Sequence, residues 1–153
     1  MKTIGYIACF FSVLFFIGSC KKTDGTPDYF AFGRYGNYCI TSCGTYYSIK
    51  NNELYIDTTA KTIGGPLNFA PTPLSHSNYL LAKPIMDSFP KYFLDHPNQT
   101  FGCPNCVDQG GYYIEIIKNG QKTYWFIDTS IASLPVEIRA YVTQLASTIN
   151  SIK

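Results

Sequence analysis

Hydrophobic and polar positions alternate in two separate stretches of the chain, and a turn interrupts each alternation. Residues 112–118 (YYIEIIK) and 122–128 (KTYWFID) flank Asn119-Gly120. A two-residue type I′ turn needs positive φ at both central positions, which Asn and Gly tolerate best, so this stretch predicts a β-hairpin. Residues 46–49 and 54–58 are shorter β-type runs on either side of Lys50-Asn51-Asn52-Glu53, a second hairpin pattern. Ahead of it, residues 29–38 (YFAFGRYGNY) alternate aromatic and small side chains, which predicts a first strand with a bulge or a leading loop.

The periodicity elsewhere is helical. Leu134, Ile138, Tyr141, Val142, Leu145 and Ile149 recur at spacings of three and four, behind Ser133, Pro135 and Glu137, which mark a helix start. Leu80, Leu81, Ile85, Met86, Phe89, Phe93 and Leu94 follow a similar rhythm interrupted by Pro84 and Pro90, so two short helical pieces are predicted there. Between the first hairpin and these pieces, residues 60–77 are rich in Gly, Pro, Thr and Ser and read as a loop. Loops of that length in a compact domain are usually functional or disordered.

The two hairpin stretches also resemble each other. CITSCGTYYSIKNNELYIDT and FGCPNCVDQGGYYIEIIKNGQKTYWFIDT both open on a close cysteine pair, pass a glycine and reach Tyr-Tyr (Tyr46, Tyr47; Tyr112, Tyr113). Both then turn at Lys-Asn and end in Ile-Asp-Thr, and Ser88-Phe89-Pro90 is echoed by Ser133-Leu134-Pro135. A duplicated ββα unit is expected, with copies at about 39–96 and 101–152. A lone hairpin is barely stable in water, so two would pair into one antiparallel sheet with the helices on one face, giving a two-layer α+β domain over residues 29–153.

The first 19 residues have a different character. Met1-Lys2 precedes an almost unbroken apolar run over residues 4–17, the layout of a secretory signal. The run is too short to span a bilayer comfortably, which takes about 20 apolar residues. Its end, Ile17-Gly18-Ser19-Cys20, resembles the lipobox of bacterial lipoproteins. That resemblance implies cleavage before Cys20, acylation of its sulfur, and attachment to a bacterial membrane outside the cytoplasm. Several acyl chains hold firmly because each buried CH₂ contributes about 0.8 kcal/mol. Lys21 and Lys22 follow the cysteine where an aspartate would resemble an inner-membrane retention signal. The expected location is the outer membrane, facing the periplasm or the cell surface, with residues 20–28 as lipidated cysteine and flexible tether.

About 130 residues remain, the usual size of one domain. The whole chain carries a net charge of +2, falling to about +1 without Lys2, and no basic cluster, so a nucleic-acid partner is not expected. Tyrosine is abundant, with 13 in the chain, and combines a large apolar body with a polar tip. Tyr46, Tyr47, Tyr112, Tyr113 and Trp125 are candidates for either the core or a binding face, those pointing toward the helices being core.

The cysteines of the domain are Cys39, Cys43, Cys103 and Cys106, one pair heading each copy. In an oxidising compartment an even count reads as disulfides, for which three pairings exist. Local closure makes small loops, whereas crossing between the pairs would staple the copies and contribute roughly 3 to 4 kcal/mol. C-x3-C and C-x2-C are also acceptable half-sites for a zinc ion, and Cys103-Pro104-Asn105-Cys106 resembles a zinc knuckle turn. The same tetrapeptide resembles the glutaredoxin active-site motif, implying thiol-disulfide chemistry, although in that family a helix N-terminus activates the first cysteine.

Other chemistry is sparse. His76 and His96 read as solvated loop residues, and no nucleophile elbow, phosphate loop or zinc-protease motif is present, so no residue is assigned a catalytic role. Asp57 and Asp128 sit at matching positions and suit capping of the turn out of each hairpin. Asp57-Thr58-Thr59 resembles a short O-glycan acceptor motif. The hairpin-then-Leu-Pro-helix order is similar in pattern to small bacterial inhibitors of thermolysin-like proteases. The function expected is non-enzymatic binding of an envelope protein, peptide or glycan; a metal or redox protein centred on the four cysteines and a protease inhibitor are the alternatives.

Overall fold

A computed structural model describes residues 27–36, 43–59, 65–104, 106 and 109–153. The leader with Cys20, most of the tether, and Cys39 lie outside the described residues. The chain has mixed α+β content: a six-stranded, mostly antiparallel sheet and three α-helices. The strands are β1 (Tyr29–Tyr35), β2 (Gly44–Lys50), β3 (Glu53–Ile56), β4 (Gln99–Phe101), β5 (Gly111–Lys118) and β6 (Gln121–Asp128). Their order across the sheet is β3-β2-β1-β5-β6-β4.

Both predicted hairpins form. Asn51 and Asn52 take φ of 52° and 61°, and Asn119 and Gly120 take 52° and 73°, so each turn has the positive φ pair that a type I′ geometry needs. The hairpins do not pair with each other. The aromatic stretch at the start of the domain becomes the central strand β1, antiparallel to β2 on one side and β5 on the other. The hairpins also differ in length, β3 having four residues and β5 and β6 eight each. Short β4 adds in parallel beside β6.

The helices are α1 (His76–Asp87), α2 (Lys91–Asp95) and α3 (Val136–Ser151), with a 3₁₀ turn over Ile131–Ser133. The predicted stripe of α3 is buried at Leu134, Ile138, Tyr141, Val142, Leu145 and Ile149. Ser133 does not cap α3; its hydroxyl donates to the Ser130 carbonyl and to Asp128, and Pro135 stands before the first helical residue. Helix α1 runs through Pro84, and the break falls instead near Pro90. Pro84 is exposed, so its ring has room, and the following Ser88 bonds back to the Pro84 carbonyl through its amide and hydroxyl. Leu80, Leu81 and Leu94 lie outside the core at 56%, 46% and 57% exposure, because α1 turns Tyr79, Ala82 and Ile85 inward.

Inward-facing members of the strands (Phe30, Phe32, Tyr47, Ile49, Leu54, Tyr112, Ile114, Trp125, Ile127) join the helices in one apolar core. Trp125 is fully buried against Phe89 and Phe93, and its indole N–H donates to the His96 carbonyl. The opposite face of the sheet has a smaller cluster of Tyr35, Tyr46 and Tyr113, with Leu67 of the long loop packed onto it. That loop is tied along β3: Thr58 N–H donates to Asn68, Ala70 N–H to Ile56 and Leu74 N–H to Leu54, each 2.7 to 2.8 Å. The edge carbonyls of β3 are thereby occupied, which blunts an otherwise open sheet edge.

Candidate functional site

The five aromatic candidates are all buried. Tyr47, Tyr112 and Trp125 belong to the helix-side core, and Tyr46 and Tyr113 to the cluster on the other face. Their burial follows from the register: Tyr47 stands opposite Ile56 and Tyr112 opposite Ile127, so both point inward, and alternation turns Tyr46 and Tyr113 outward under neighbouring rings. None presents a ring to solvent, and a ligand-facing aromatic surface has to come from other residues.

Such a surface exists on the outer face of the sheet. A cleft of about 360 Å³ is lined by Tyr29, Ser48, Lys50, Asn51, Tyr55, Phe69, Ala70 and Pro71. Strands β1, β2 and β3 form its floor, and the loop forms its wall where Phe69 bridges to Asp57 and packs edge-on against Tyr29, ring centroids 5.7 Å apart. The rings are held by polar partners. Tyr29 donates its phenol to Glu115, and Tyr55 donates to Glu53. Lys50 lies directly opposite Glu53 in the β2–β3 register. Lys83, Lys91 and Lys122 each pair with a carboxylate, whereas Lys50 has no carboxylate partner among the described residues.

Behind the cleft is a buried carboxylate. Glu115, 2% exposed, accepts from the phenols of Tyr29 and Tyr113 and pairs with Lys122 at 2.5 Å. Burial and then the bond to Glu115 push both phenols well above the ordinary tyrosine value. Glu115 is thus satisfied on every side and closed to solvent, which suits a structural anchor rather than a general base.

Cys43, Cys103 and Cys106 lie at one end of the sheet. Gly36 N–H donates to the Cys43 carbonyl, and Cys103 follows β4 beside the end of β6. Cys103 and Cys106 form a disulfide with Cα atoms 5.4 Å apart. Cys43 is also disulfide-bonded, and Cys103 and Cys106 bond each other. No staple therefore runs from Cys103 or Cys106 to the first hairpin. In this bonded state the two sulfurs do not fit a tetrahedral zinc site, which takes thiolates.

Asp128 secures this end. Buried at 3% exposure, it accepts from the amides of Cys103 (2.8 Å) and Ser130 (2.9 Å), the side chain of Gln109 (3.0 Å) and the hydroxyl of Ser133 (3.1 Å). Burial alone would raise its carboxyl pKa, but these four donors outweigh burial and lower it. Gly102 makes the approach possible: at φ +72° it lies against the Asp128 side chain, leaving no room for a Cβ. No helix begins at Cys103, and a neighbouring carboxylate opposes thiolate formation, so the environment differs from that of an activated redox cysteine. Asp57 plays the parallel part after β3, accepting from the Asn68 amide at 2.6 Å and from the Thr59 hydroxyl.

A second cleft, of about 430 Å³, opens here and is lined in part by Arg34, Cys43, Thr45, Gln109 and Asn150. Arg34 lines this cleft together with Ile149 and Asn150 of the last turn of α3, a turn with no basic residue of its own. His96 donates its Nδ1–H to the Tyr92 carbonyl and stacks on the Tyr92 ring, while His76 packs on Tyr79, both local roles.

No family model matches the chain, and neither the curated proteins nor the solved structures contain a match. No helix among the described residues is long and apolar enough to cross a membrane.

Proposed function

We propose that the protein is a lipid-anchored, non-enzymatic binding domain of a bacterial cell envelope, held at the outer membrane through Cys20. The observation that carries the binding half is the outer-face cleft, in which Tyr29, Tyr55 and Phe69 are fixed by their own contacts while Lys50 at the rim has no carboxylate partner among the described residues. Rings already held in place lose little freedom when a ligand arrives, which favours recognition. The anchor half rests on the leader motif, which lies outside the described residues.

The test is an array of envelope glycans and peptides probed with the wild-type chain and a Tyr55→Ala, Lys50→Met double variant of matched thermal stability. Ligands bound by the wild type and lost in the variant support the reading; ligands bound equally by both contradict the cleft as the site. A thermolysin-type protease assay run alongside separates the inhibitor alternative, which predicts inhibition at micromolar protein. Cys20→Ala is expected to move the protein from the membrane to the soluble fraction, and retention in the membrane would refute the anchor.

The same reading holds the two halves to be copies of one ββα unit. It is supported by the like fastening roles of Asp57 and Asp128, while the Tyr-Tyr pairs stand one residue out of phase, the second of the first pair facing Ile56 and the first of the second pair facing Ile127. Superposition of β2-β3-α1 on β5-β6-α3 in a crystal structure decides it, since duplication requires those tyrosines and aspartates to coincide in one alignment.

A further inference from the structure

We infer that the outer-face cleft recognises a carboxylated sugar, a hexuronate-type unit of an acidic glycan; this rests on the cleft being the binding site. The argument begins at the turn of the first hairpin. Lys50 and Glu53 are cross-strand neighbours on the outer face, the position where opposite charges normally pair. Here the Tyr55 phenol donates to Glu53 instead, and Lys50 is left lining the cleft with no ion pair among the described residues. An unpaired ammonium beside a partly desolvated ring favours an anionic partner, because charge-assisted hydrogen bonds exceed neutral ones in strength.

The remaining groups define the rest of the ligand. Tyr55 and Phe69 supply aromatic faces, whose negative quadrupole attracts the weakly positive C–H bonds on one side of a pyranose ring. Ser48 and Asn51 stand on the same cleft and suit the hydroxyls that edge such a ring. A polyproline peptide also binds aromatic grooves, but it is extended at about 3.1 Å per residue and needs a long track. At about 360 Å³ this cleft is at the small end of ligand sites and fits a short ring-shaped ligand better.

Calorimetry on the full chain in detergent tests the assignment, with a hyaluronan tetrasaccharide as acidic probe, the same probe with its carboxyls reduced to alcohols, and a proline-rich decapeptide. The acidic probe is expected to bind, its carboxyl-reduced form about tenfold more weakly, and the difference to shrink as salt rises. Lys50→Met should abolish that preference. Tyr55→Phe keeps the ring but releases Glu53 to pair with Lys50, so it should weaken the acidic probe severalfold, whereas Glu53→Gln in that background should restore it. Equal affinity for acidic and reduced probes overturns the carboxylate assignment, and binding of the peptide alone overturns the sugar while leaving the cleft as a site. Binding of none of the three, or binding that survives both Lys50→Met and Tyr55→Ala, overturns the inference, and the second result overturns the cleft itself.

Discussion

Asp128 shows how one side chain organises a whole end of the molecule. Its carboxylate gathers donors from both ends of the loop between β4 and β5 and from the 3₁₀ turn before α3, so two segments separated in sequence by the β5–β6 hairpin meet on it. Asp128→Ala would strand these donors, at about 1 to 3 kcal/mol. Because the folded pKa lies below the unfolded value, the contribution is complete above about pH 4 and is lost as pH falls through the folded pKa. Denaturant titrations should therefore show wild type and variant converging in stability toward pH 2; a gap unchanged from pH 7 to pH 2 would contradict the ionic role. Tyr46 is the opposite case. Its phenol is buried with no hydrogen-bond partner, and burial followed by the charge of Asp57 pushes its pKa up to about 12. An unsatisfied buried hydroxyl costs stability, so Tyr46→Phe should stabilise by about 1 kcal/mol in the same titration, and destabilisation would mean the hydroxyl is satisfied after all.

Individual elements are legible in the sequence wherever local chemistry specifies them. The Asn-Gly and Asn-Asn turns force positive φ, and the stripe of α3 allows one buried face, so these stand where the pattern puts them. What local pattern does not encode is partnership. β1 reads as an aromatic strand or loop, but its insertion between the hairpins depends on long-range pairing with β2 and β5 at once. Likewise the leucines of α1 and α2 keep helical spacing, yet Leu80, Leu81 and Leu94 face solvent because α1 turns Tyr79, Ala82 and Ile85 inward and α2 turns Phe93 inward. The cysteine pairing is open in the sequence for the same reason. A disulfide closing the four-residue Cys103–Cys106 loop contributes about 2 kcal/mol at most by chain entropy, less than a cross-link between hairpins. Cys103→Ser with Cys106→Ser should lower the unfolding free energy by no more than that, and a loss well beyond it would point to a larger covalent role.

For the molecule as a whole, the two faces of the sheet divide the work. One buries Trp125, Ile114 and Phe32 under three helices, and the other holds a tyrosine cluster, a buried Glu115 network and a loop that walls off a cleft. The candidate site is only partly legible in the sequence. Length and composition mark the long loop as functional or disordered, but Tyr29, Tyr55 and Phe69 are scattered through the chain and become neighbours only when β1, β2 and β3 align. The repeated Tyr-Tyr pairs are conspicuous in the sequence, yet their rings belong to the two buried clusters. The most direct test of the account is amide NMR mapping of the full chain, isotope-labelled and in micelles, titrated with each ligand that the glycan and peptide array identifies. Shifts concentrated at Tyr29, Lys50, Asn51, Tyr55 and Phe69 are the predicted result. Shifts concentrated instead around Arg34, Cys43 and Gln109, or on the exposed leucines of α1, would contradict it.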